Sequence, residues 1–280
     1  MVDLRTDTSL AWLAALARSV ELAAGGAPWL VAGALARDLL LSHAHGIRIA
    51  RLTRDVDIAV AVPSWEAFET IRMALIESGR FAPLPVVHKL RYESAISLDL
   101  IPFGGLEADD RTIAWPPDRA IVMNVAGFRE ALAASLVVLL PEGTQLRVVS
   151  LPALVALKLK AWRERRLTEP GKDAQDFFLV LSHYLDAGQR DRLYDEAAHL
   201  LDEPDFDYTH AGARLLGADV RRFLQTAGAD TAVADLGRLL AGETDLNQPL
   251  RLLQDARPAD ADEALGLLQA FRKAFEAGSP

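Results

Sequence analysis

Cysteine is absent from the 280 residues, so neither a disulfide nor a thiolate metal site can form, and the chain fits a reducing compartment. Lysine is scarce, five residues against twenty-five arginines. No uninterrupted apolar run reaches the length of a membrane span. The apolar stretch near the N-terminus is broken by Arg18 and Glu21, which makes it an amphipathic helix rather than a signal peptide. These absences describe a cytoplasmic protein without a membrane partner. The six histidines include no His-Glu-x-x-His pattern; the close pair His43 and His45 stands in a polar stretch before Gly46 and reads as solvated loop. Gly-x-Gly-x-x-Gly and Gly-Lys-Ser/Thr loops are also missing, which excludes dinucleotide-binding and Walker-type sites.

What the chain does have is apolar mass. With 51% hydrophobic residues it can build one large domain or two small ones, each with a core. The net charge of −9 argues against broad attraction to nucleic acid, but it is unevenly spread. Residues 186 to 280 carry 18 acids and 10 bases, whereas residues 1 to 185 are close to neutral, so an anionic substrate could still be met by local basic groups.

Along the chain, a helix over about residues 8 to 24 leads into a short strand, Trp29 to Ala32, and Gly33 opens a second helix. A strand carrying Asp55 and Asp57 follows, and Pro63-Ser64-x-Glu66 starts a helix that runs to about Ser78. Extended segments cover about 86 to 101 and 121 to 125. A short helix near 127 to 134 precedes strands at 135 to 140 and 145 to 149. From residue 150 onward only helical periods are found. The expected fold is α/β (α+β): a mixed sheet flanked by helices in domain 1–150, then an all-helical domain, 151–280.

Three carboxylates stand out. In Thr53-Arg54-Asp55-Val56-Asp57-Ile58-Ala59-Val60, strand alternation puts Asp55 and Asp57 on one face and Val56, Ile58 and Val60 on the other. In Ser97-Leu98-Asp99-Leu100, Asp99 opposes the apolar side, so a third acid joins the pair if the two strands are neighbours. Clustered carboxylates repel one another unless a cation sits among them, and an oxygen-only set suits Mg²⁺ or Mn²⁺.

Other residues carry two readings each. Gly33 is either a tight turn or a place where backbone approaches a phosphate. Lys158 falls in the middle of the apolar stripe formed by Leu151, Leu154, Val155 and Trp162, while Lys160 lies opposite; a lysine so placed snorkels to the surface or faces an anion in a cleft between the domains. Asp173 and Asp176 open a helix and are either caps or functional acids. Arg37 and Arg54 touch phosphates or pair with acids such as Asp38.

Taken together, Gly33-Ala34, Thr53-Arg54-Asp55-Val56-Asp57 and the later Asp99 resemble the DNA polymerase β-like nucleotidyltransferase superfamily. Within it, Leu157-Lys158-Leu159-Lys160-Ala161-Trp162-Arg163-Glu164-Arg165 followed by Lys172-Asp173-Ala174-Gln175-Asp176 resembles the AbiEii/AbiGii-type nucleotidyltransferases of toxin–antitoxin systems, over about residues 28 to 185. The resemblance implies an NTP co-substrate and Mg²⁺ or Mn²⁺. Asp55, Asp57 and Asp99 would hold the metal, and Asp99 could take the nucleophile's proton. Gly33 and Ala34, with Arg37, Arg54 and Lys158, would meet the nucleotide, and Asp173 or Asp176 would be the acid of the second domain. Where the family often has Gly-Gly or Gly-Ser, this chain has Gly33-Ala34, so any contact at Ala34 must be through backbone. The acceptor implied is the 3′ end of tRNA, with a cognate antitoxin as partner. A small molecule such as an aminoglycoside, a protein hydroxyl, or a non-catalytic nucleotide-binding role stay open beside it.

Overall fold

The structure, a computed structural model, describes residues 1–49, 53, 55–226, 230–242 and 248–280. It divides into two compact units, Met1–Leu39 with Ile49–Ser150, and Leu40–Arg48 with Leu151–Pro280.

The first unit runs β1 (Val2–Asp3), α1 (Ala11–Ala24), β2 (Trp29–Ala32), α2 (Gly33–Asp38), β3 (Asp55–Val62), α3 (Trp65–Glu77), β4 (Phe81–Pro83), β5 (Lys89–Tyr92), β6 (Ile96–Gly104), β7 (Thr112–Ala114), β8 (Val122–Asn124), α4 (Phe128–Ala133), β9 (Leu136–Leu139) and β10 (Gln145–Val148). Eight strands form one mixed sheet in the order β1-β9-β10-β2-β3-β6-β5-β4, and β7 and β8 pair separately. At its centre β3 is parallel to β6 and antiparallel to β2. Val56, Ile58 and Val60 of β3 are at most 1% exposed, as are Leu98 and Leu100 of β6. Each such aliphatic side chain stabilises the fold by about 1.5–3 kcal/mol. The face these residues share is thereby fixed as the inner one, and the alternate positions must point the other way. Ser64 caps α3, its hydroxyl accepting from the Ala67 N–H at 3.3 Å.

The sequence reading treats 86 to 101 as one extended stretch; the chain instead turns back at Glu93 and Ser94, both at positive φ, and makes an antiparallel pair. Strands β4 and β7, three residues each, are too short to show a period and were not expected.

The second unit contains α5 (Leu151–Arg165), α6 (Pro170–His183), α7 (Arg190–Asp195), α8 (Tyr208–Thr226), α9 (Asp230–Ala241), α10 (Gln248–Ala256) and α11 (Ala261–Ala277). Helices α8 and α11 cross closely at Gly217, where a Cβ would stand 2.2 Å from the Phe271 carbonyl oxygen. Phe177 of α6 meets Phe271 edge to face, ring centroids 5.4 Å apart. Beside this apolar core lies a buried charge cluster. Lys158 donates to Asp173 at 3.0 Å and pairs with Asp176 at 2.5 Å, and the Arg165 guanidinium grips Asp173 at 2.7 and 2.9 Å. Burial works to raise the Asp173 carboxyl, but the Arg165 hydrogen bond and the Lys158 charge outweigh it and hold the group below its ordinary value.

Gly217→Ala should destabilise the chain by about 1–3 kcal/mol through overpacking. Gly237→Ala, whose Cβ meets only Phe275 at 3.8 Å, should stabilise α9 by about 0.5–1 kcal/mol; urea titration reads both. Because the folded Asp173 value is depressed, its contribution is complete above the ordinary carboxylate value and is lost as pH falls through the lowered one. Asp173→Asn should therefore cost about 3–5 kcal/mol at neutral pH and flatten the acid limb of stability, followed by thermal unfolding between pH 7 and pH 2.

Candidate active site

Register assembles the site. Across four neighbouring strands Ala32 of β2 stands opposite Asp57 of β3, Asp57 opposite Asp99 of β6, and Asp99 opposite Lys89 of β5. Directly paired residues share a face, so Asp57, Asp99 and Lys89 form one row on the side away from Ile58 and Leu100. Asp55, two residues before Asp57, is on that face too and is exposed. The neighbouring of β3 and β6 that a shared acid face requires is thus present.

Immediately after Ala32 the chain turns at Gly33, φ +64°, and a Cβ there would fall 1.7 Å from Asp57 Oδ2. The Asp57 carboxylate fills the space a side chain would need, so only glycine fits. Ala34 is buried. Three residues on, Arg37 is 8% exposed and turned onto Asp38, its Nε and Nη2 donating to Asp38 Oδ1 at 2.8 and 2.5 Å. Of the two readings open for Arg37, the structure displays the ion pair. The other oxygen of Asp38 accepts from the Thr53 N–H at 2.7 Å, and Thr53 Oγ1 accepts from the Asp55 N–H at 3.0 Å. These bonds set the entry into β3 and hence the positions of its two acids. Arg54 lies outside the described residues.

Lys89 escapes a reading of the sequence. Its Nζ donates to Asp99 Oδ2 at 3.0 Å, with the two side chains 37% and 24% exposed. The remaining oxygen, Asp99 Oδ1, is out of solvent and has no hydrogen-bond partner. Next to it the His88 ring lies against Trp115, centroids 4.8 Å apart, and burial pushes its imidazole below the ordinary value while the Asp99 charge opposes that shift. The scarcity of lysine was the one available signal for Lys89; its partner becomes visible only once β5 folds back on β6.

Lys158, Asp173 and Asp176 come together in the second unit, each at most 6% exposed, so the lysine of the apolar stripe does face anions, and these are the chain's own. Asp176 and Asp173 are therefore buried ion-pair partners rather than solvated helix caps.

A divalent ion is a chemical fit for the sheet row. The donors are carboxylate oxygens, one of them buried and unpartnered, beside a turn whose glycine brings backbone and no side chain to Asp57. Among the described residues, the group of three potential ligands gathered within 4.8 Å is a different one, Asp207, His210 and Glu263. There Asp207 Oδ1 accepts from the His210 N–H at 2.8 Å, an ordinary start to α8. No helix among the described residues is long and apolar enough to cross a membrane.

Comparison with known proteins gives a family. The family model described as nucleotidyl transferase AbiEii toxin, type IV TA system, matches residues 14–277. A search of curated proteins finds no match. Among solved structures, the solution structure of the antibiotic-resistance factor ANT(2'')-Ia is 15% identical, covering 69% of this chain and 99% of that one, with a TM-score of 0.35. The crystal structure of ANT(2'')-Ia in complex with adenylyl-2''-tobramycin is 18% identical, covering 64% and 98%, with a TM-score of 0.37. The family match extends well beyond the stretch of 28 to 185 that the sequence motifs span, taking in the acidic C-terminal helices, and the chain belongs to the AbiEii nucleotidyl transferase toxin family.

Proposed function

We propose that this nucleotidyltransferase moves an NMP from an NTP to the 3′ end of tRNA, using Asp55, Asp57 and Asp99 as the seat of Mg²⁺ or Mn²⁺. The observation that carries the reading is the pairing of Asp57 with Asp99 in register, with the Gly33 turn packed on the Asp57 carboxylate. A divalent ion bound there would offset charge on the transferred phosphoryl group and on the leaving pyrophosphate. The residues of the chain do the rest. Asp55 and Asp57 lie on one face of a strand whose opposite face is buried, so both carboxylates are presented on the same side of the sheet. Asp99 stands opposite Asp57 in the row, and its carboxylate can take the proton of the attacking hydroxyl. Gly33 lets backbone, and no side chain, stand beside the carboxylates.

Lys158 belongs to the nucleotide in this reading, with Asp173 and Asp176 orienting it. Two carboxylates at 3.0 and 2.5 Å fix the position of the Lys158 ammonium, which supports this reading. An NTP co-substrate implies a cytoplasmic enzyme, and the toxin description of the family supports a cognate antitoxin as partner.

Labelled NTPs, offered one at a time with tRNA, an aminoglycoside and bulk protein, test the acceptor. Label on the tRNA 3′ end is expected; label on the antibiotic and never on RNA overturns the tRNA assignment. Asp57→Ala and Asp99→Ala should each cut transfer by about 100-fold or more. EDTA should abolish it, with Mg²⁺ or Mn²⁺ restoring it. Lys158→Ala should weaken NTP binding in a titration, while Lys160→Ala, on the opposite side of α5 and only half-buried, leaves it within about twofold.

A further inference from the structure

Lys89 is unaccounted for by the reading above. Its ammonium takes one oxygen of Asp99 at 3.0 Å and leaves the other, buried, without a partner. A salt bridge built for stability would satisfy both oxygens, most readily with the planar fork of arginine. In a chain with twenty-five arginines and five lysines, the residue at this place in the row is a lysine, a compact point charge on a flexible stem. The pair is also partly exposed, where an ion pair contributes little to folding. Asp55, Asp57 and Asp99 are not gathered within 4.8 Å of one another, as the described residues that do meet this spacing are Asp207, His210 and Glu263.

We propose that Lys89 is a positioning residue that competes with the divalent ion for Asp99: it draws Oδ2 to itself, leaves Oδ1 as the only oxygen offered to the row, and so sets how tightly the row holds a cation. The inference rests on the carboxylate row being the metal seat. Lysine suits this role because its stem can swing aside on the exposed face without disturbing the backbone pairing of β5 with β6, which runs from Lys89↔Asp99 to Tyr92↔Ile96. The competition is electrostatic. Removing one positive charge a few ångströms from a bound dication should tighten binding by about 5- to 20-fold at a partly solvated site.

The test uses the full chain without nucleotide and reads Mn²⁺ affinity from the free-ion signal in electron paramagnetic resonance. Lys89→Met and Lys89→Gln, each checked by thermal unfolding, should both bind Mn²⁺ about 5- to 20-fold more tightly than the wild type. Adding Asp99→Asn to Lys89→Met should remove that gain. Affinity unchanged or weakened in both neutral variants, or a gain that survives Asp99→Asn, overturns the inference while the metal seat stands. A wild type whose Mn²⁺ binding is absent, or is unaffected by Asp57→Ala, overturns the metal seat and this inference with it.

Discussion

The pairing of β3 with β6 is the constraint on which the rest depends. Side chains alternate along a strand, so a slip of one residue would send Asp57 into the apolar layer and Ile58 into solvent. The burial of Val56, Ile58, Val60, Leu98 and Leu100 forbids that slip. Hydrophobic burial thus does the positioning, and the acids are held in place by residues that never touch them. The same pairing dictates Gly33. With Asp57 fixed, its carboxylate lies where any Cβ at the β2–α2 turn would have to go, so the turn is required to be bare.

Charge is handled differently in the two units. On the sheet, Lys89 answers one oxygen of Asp99 and the other oxygen stays unspent. In the helical unit Lys158 and Arg165 answer Asp173, and Lys158 also reaches Asp176, so positive and negative groups are matched and buried together. In the proposed reading the first arrangement is the seat of a divalent cation, whereas the second fixes a cation that the chain brings itself. Arg37, Asp38 and Thr53 form a third arrangement, in which a buried pair spends its last acceptor on a backbone N–H and so ties the end of α2 to the approach to β3.

How much of this was legible follows from period and reach. Strands β2 and β3 announce themselves by a short apolar run and by clean alternation, and the shared face of Asp55 and Asp57 follows from alternation alone. Lys158 could be placed in the apolar stripe of α5 because a helical period extends over fifteen residues. Its partners could not be named, because Asp173 and Asp176 are set by how α6 packs on α5, a matter of tertiary structure. Lys89 was hidden for the same reason: nothing local distinguishes it until a turn at positive φ brings it beside Asp99. The two readings of Arg37, phosphate contact and ion pair, are equally consistent with its sequence context, and the pair with Asp38 is displayed only in three dimensions.

The segment Leu40–Arg48 lies between two stretches of the first unit yet belongs to the second, so the chain passes from one unit to the other three times rather than once. Within the second unit the His45 ring comes so near Gly188 that a Cβ there would be 2.8 Å from its Cε1. A helical piece cut out at residue 150 would therefore lack a part of itself. As the ribosome delivers the chain from its N-terminus, that early segment emerges more than a hundred residues before the helices it belongs with, and must wait for them. The two units are in this sense spliced by topology: neither can be exchanged, duplicated or expressed as a contiguous block without leaving a piece behind.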